Sequence, residues 1–210
     1  MTTLADLRAK LNGEMGVASD GETEPWSTTV RNTAISDGYA ELWRVGVWKT
    51  TTQSLATASS DWTYALTAIR RLDRLELLDS SSQVVERPRG MVEEDGAGGQ
   101  QLRLVAPVSE GYTLLVRGWS PYKSVFSSDS DPDDLPPEHN RVPLLKAKSI
   151  LWRIALGKFA RYGIRQSVAP EMNLSIDQLI GMIAATEREF TEEARALSNL
   201  RPRSGQNRKL

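Results

Sequence analysis

The apolar positions along this chain change their period twice. Leu4, Leu7 and Leu11 recur at helical spacing and Gly13 stands where a stop is expected, so the pattern predicts a short first helix. In "WSTTVRNTAISDGYAELWRV", Val30, Ala34, Ile35, Gly38, Tyr39 and Leu42 mark one helical face, and Ser27 is placed to cap it. From about residue 47 the period shortens. "VWKTTTQSLATASSDWTYALT", "LELLD", "QVVE", "QLRLV" and "YTLLVRGW" are short apolar or alternating runs between turn clusters, which predict about five or six strands. "EEDGAGGQ" at 93–100 is expected to be a mobile hairpin tip, its glycines tolerating positive φ. Helical spacing returns with Leu144, Ala147, Leu151, Ile154, Ala155, Phe159 and Tyr162, ended by Gly163. A last helix starts at a Ser175/Gln178 capping box, carries Leu179, Ile183, Phe190, Ala194 and Leu197 on one face, and closes before Pro202.

This order predicts an α+β fold, mainly a helical bundle of about four helices with an inserted antiparallel β-rich subdomain and an extended C-terminal arm. The bundle is expected over residues 1–46 and 136–198, the insert over 47–126, an acidic linker over 127–135 and a basic flexible arm over 199–210. No fixed-period repeat runs through the chain.

Composition removes several kinds of chemistry. The 210 residues contain no cysteine, so disulfides, thiolate metal sites and cysteine nucleophiles are excluded together. No N-terminal run reads as a secretory leader, and no stretch reaches the roughly 18 apolar residues of a membrane span, so no membrane role is expected. Charge is nearly balanced, with 26 basic against 27 acidic residues. Its distribution is uneven: Arg201, Arg203, Arg208 and Lys209 lie in the last ten residues, leaving 22 basic against 27 acidic before them. A mildly acidic body thus ends in a basic arm.

The stretch "DPDDLPPEHNR" at 131–141 gathers carboxylates, three prolines and the one histidine. Asp129, Asp131 and Asp133 have the first spacings of a calcium loop, but Asp134 stands where its glycine belongs and Asn140 where its bidentate glutamate belongs. A solvated acidic linker is the expectation. His139 lacks a second histidine and any nucleophile motif, so it is expected in a proline-framed helix start, with Leu135 packed on the bundle. "GAGG" at 96–99 lacks the lysine of a phosphate loop, and the carboxylate pairs Glu93/Glu94 and Glu192/Glu193 read as solvated surface. No catalytic residue, metal ligand or cofactor is predicted. Of the six tryptophans, Trp48, Trp62 and Trp119 are candidates for contact with a neighbouring subunit or neck protein, because tryptophan is enriched at interface hot spots.

The order and spacing of "TLADLRAKL" at 3–11, "PWSTTVRNTAISDGYAELW" at 25–43, "DPDDLPPEHNRVPLLKAKSILWRIAL" at 131–156 and "QLIGMIAATEREFTEEARAL" at 178–197 resemble the head-to-tail adaptor (connector) proteins of long-tailed bacteriophages and prophages. Pro143 departs from that pattern, where related helices run uninterrupted. The resemblance implies a non-enzymatic virion subunit, assembled in the host bacterial cytoplasm, that is monomeric when free and forms a ring of about twelve copies beneath the portal protein. It implies portal docking through Leu197, Leu200, Arg201, Arg203, Arg208, Lys209 and Leu210, with the β segment facing a stopper or tail-completion protein and DNA passing through unread. Two alternatives stand beside it: a stopper or tail-completion role in the same neck, and a nucleic-acid-binding regulator using the basic arm.

Overall fold

The computed structural model describes residues 2–16, 26–58, 61–162 and 175–198; side chains of 159–162 are outside that description. The expected stops at Gly163 and Pro202 and the arm 199–210 therefore lie outside the described residues. The chain divides into two compact units, one of residues 1–47 with 122–210 and one of residues 48–121.

The first unit is helical. Helix α1 spans Leu4–Met15, opened by a capping box in which Thr3 Oγ1 accepts from the Asp6 amide and Asp6 accepts from the Thr3 amide. It runs through Gly13 and stops at Gly16, whose φ of 68° puts it in the left-handed region, so the expected stop is corrected by three residues. The correction buries Met15 with Leu4, Leu7 and Leu11. Helix α2 spans Thr28–Arg44, with Ser27 Oγ accepting from the Val30 amide as its sequence position implied. A 3₁₀ turn at Pro137–His139 leads into α3, Arg141–Tyr162, so Pro143 falls in the first turn, where no amide donor is missed. Helix α4 spans Ile176–Leu197 behind the Ser175/Gln178 capping box.

These helices share one apolar core. Trp152 is fully buried and meets Trp26 edge to face, with centroids 5.1 Å apart, while the Trp26 indole donates to the Leu151 carbonyl at 3.0 Å. Gly38 of α2 is required by the close approach of α3: a Cβ there would run into the Pro143 carbonyl. Leu135 packs in this core, as expected.

The second unit holds seven strands among the described residues, more than the five or six expected: β1 Lys49–Ala56, β2 Thr63–Leu66, β3 Arg71–Leu78, β4 Val84–Glu86, β5 Gly90–Glu94, β6 Gln100–Leu104 and β7 Thr113–Ser120. They form two antiparallel sheets, ordered β1-β7-β3-β4 and β2-β6-β5. Leu75, Leu77, Leu102, Leu104, Leu114 and Val116 supply their shared core. At the β5–β6 tip, Gly96 and Gly98 take positive φ, and Asp95 Oδ1 accepts from the amides of Ala97 and Gly99 at 2.8 Å each.

Candidate functional site

Within the helical unit, the acidic stretch is built into the fold. Asp133 is 2% exposed and its Oδ1 accepts from the Thr2 amide at 3.1 Å, while Tyr39 donates to its Oδ2 at 2.8 Å. Asn140, equally buried, donates to Thr2 Oγ1 at 2.7 Å. The amides of Leu4 and Ala5 donate to the carbonyls of Asp131 and Asp129, and Arg8 grips the Asp129 carboxylate through both terminal nitrogens. The expectation of a solvated linker over 127–135 is thus corrected at its centre: orphan amides at the start of α1 need acceptors, and this segment supplies them.

The network sets its own protonation states. Burial, then the hydrogen bond to Asp133, pushes the Tyr39 phenol far above its ordinary value. Hydrogen bonds from the Ser127 amide and hydroxyl, joined by Lys123, hold Asp131 well below the usual carboxylate range. Asp129 is lowered by its hydrogen bonds from Arg8.

A second polar cluster joins α3 to α4. Lys146 donates to both Glu187 oxygens at 3.0 and 3.1 Å, Ser149 donates to Oε1, and Arg153 adds a contact at 3.1 Å. Burial pushes the Glu187 carboxyl up, but the Ser149 and Lys146 hydrogen bonds and the Lys146 and Arg153 charges outweigh it, so its pKa is lowered. Arg141 forks between Glu189 and Glu193 one turn further along. Beneath this seam, Lys146 lies over the Phe190 ring at 5.3 Å.

The predicted contact residues fall in different places. Leu197 is half-buried at the end of α4, where a groove is lined by Glu138, His139, Val142, Glu193, Ala196 and Leu197. Leu200, Arg201, Arg203, Arg208, Lys209 and Leu210 lie outside the described residues. In the sheet unit, Trp48 is buried and Trp119 half-buried; their rings lie 5.6 Å apart, and the Arg71 guanidinium stacks on Trp48 at 4.7 Å. Trp62 is 49% exposed beside β2 in the other sheet. Trp48 and Trp119 are therefore brought together, whereas Trp62 is presented to solvent separately.

His139 sits half-buried in its 3₁₀ turn. Among the described residues no group of three or more His, Asp or Glu side chains is placed to hold a metal ion, and no helix is long and apolar enough to cross a membrane. Sequence reasoning missed the Thr2–Tyr39–Asp133–Asn140 network and the Glu187 cluster. The α4 register offered a signal for the second, since Glu187 lies on the same side as Phe190 and Ala194.

No known protein family's sequence pattern matches the chain, and no curated protein matches it. Among solved structures, a chain from the neck of an empty GTA particle, computed with C6 symmetry, is similar over 84% of this chain and 87% of its own, at 12% identity and a TM-score of 0.31.

Proposed function

We propose that the protein is a non-enzymatic structural subunit of a phage neck: a head-to-tail adaptor that assembles as a ring on the portal protein and offers a surface to the stopper or tail-completion protein, while DNA passes through. The observation that carries this reading is the fate of the four segments that resemble the adaptor family. Residues 3–11, 25–43, 131–156 and 178–197 contribute to one helical unit with one core, although a complete sheet unit separates the second from the third. Segments from both sides of the sheet unit that converge on a single bundle suit a docking body, and a sheet unit on a separate core suits a second set of contacts.

The basic arm at 199–210 is assigned to the portal, where its four cations would meet an acidic surface. Deleting 199–210 should leave a folded protein with unchanged helix and sheet content that no longer co-sediments with rings of its cognate portal. Retained co-sedimentation removes the arm from the mechanism, and failure of the full chain to bind the portal removes the adaptor reading itself.

A further inference from the structure

The two halves of α4 differ in charge. Residues 187–197 hold Glu187, Arg188, Glu189, Glu192, Glu193 and Arg195, whereas residues 176–186 hold Asp177 as their one charged side chain. Only Leu179 and Thr186 of that first half are buried, and Ile176 and Ile180 are each 51% exposed. A helix this uncharged around its circumference ordinarily has neighbours on both sides.

Gly181 adds an independent observation. It lies in the helix interior and is exposed, and a Cβ built on it would meet no atom within 4 Å. Nothing among the described residues therefore requires glycine there, although glycine is the poorest helix former apart from proline. A second backbone passing close to the helix would require it.

We propose that this face pairs with the same face of a second copy, the two α4 helices running antiparallel. Asp177, Ile180, Gly181, Ala184, Ala185 and Arg188 are all exposed and form one stripe at helical spacing. The stripe is self-complementary when reversed. Setting Asp177 opposite Arg188 of the second copy also sets Gly181 opposite Ala184 and Ile180 opposite Ala185, so small meets small at the centre, large meets small beside it and opposite charges meet at both ends. Arg188 already pairs with Glu192 at 2.9 Å, and its side chain is 81% exposed, which leaves its remaining donors free to turn outward. The small central residues allow the close approach that an empty Gly181 surface invites.

A two-fold contact of this kind is isologous and cannot propagate around a ring. It describes the free subunit, replaces the free monomer expected from the family resemblance, and does not depend on the neck reading. Sedimentation equilibrium of the full chain tests it, with helix content followed alongside. The wild type should be a concentration-dependent dimer and Ile180→Glu a folded monomer. Asp177→Arg and Arg188→Asp should each weaken the dimer by roughly tenfold, and the double variant should recover it. A wild type that is monomeric throughout, a dimer indifferent to Ile180→Glu, or charge variants that fail to rescue one another would each overturn the pairing. Because the chain has no cysteine, the paired variant Ile180→Cys/Ala185→Cys, whose cysteines face one another across the two copies in this register, gives a second readout: rapid oxidation to a covalent dimer supports the contact, and slow oxidation matching a Thr29→Cys control contradicts it.

Discussion

The two units solve the same packing problem with different materials. The helical unit buries Arg8, Asn12, Arg31, Asp133 and Asn140 beside its leucines and tryptophans, whereas the sheet unit buries Thr57, Glu76 and Ser120 around an aliphatic core. The difference follows from connectivity. Strands satisfy their backbone groups by pairing, so the sheet core can be apolar; α1 begins against a returning loop, whose carbonyls meet the orphan amides of Leu4 and Ala5 while Asp133 accepts from the Thr2 amide just ahead of them. The helical unit is therefore specified by directional contacts, which are costly to leave half made.

The largest expected effect is common to both units and sets the scale. Trp152→Ala should destabilise the helical unit by about 3–5 kcal/mol, and Leu114→Ala the sheet unit by about 2–5 kcal/mol, measured by chemical denaturation. The units should separate at their buried carboxylates. Asp133→Ala strands the Thr2 amide and the Tyr39 hydroxyl and should cost about 3 kcal/mol. Glu76→Ala should cost about 1 kcal/mol, because its partners Arg74 and Arg117 are 50% and 42% exposed and recover water. Equal losses at the two positions would erase the contrast.

Acid and base sharpen the same comparison. Asp129 and Asp131 titrate below their ordinary values in the folded chain, so the stability they add is complete above about pH 4 and is lost as pH falls toward their folded values. Tyr39 is shifted the other way. Its contribution is complete below about pH 10 and is lost as pH rises beyond that, so alkaline unfolding of the helical unit should be blunted in Tyr39→Phe. An alkaline profile unchanged by Tyr39→Phe would detach the phenol from that stability. Among the smallest effects, Ser175→Ala should cost about 1 kcal/mol through loss of the α4 cap, visible as a modest fall in melting temperature.

The helices were legible in the sequence because their signals are local. Leu4, Leu7 and Leu11 are one turn apart, and Ser175 caps an amide three residues away. Gly13 misled because glycine within a helix and glycine ending one look alike until the following turn is seen; Gly16, three residues on, has the left-handed φ. The strand count fell short at β5, Gly90–Glu94, which opens on glycine, ends on two glutamates and has only Met91 and Val92 as apolar positions, so it carries no alternation to read, whereas β4 lies within "QVVE". The buried network was invisible for a different reason: Tyr39 meets Asp133 across 94 positions and Asn140 meets Thr2 across 138, and no periodicity links residues that far apart. The acidic composition of 127–135 suggested solvent, while its role is to accept hydrogen bonds from the first turn of α1.

The central claim is that this chain is a neck subunit, and its position in an assembled particle tests that most directly. A compact tag on the chain, located by electron microscopy of purified virions, should appear as a ring between portal and tail. A tag found elsewhere on the particle, or particles complete without the chain, would contradict the account.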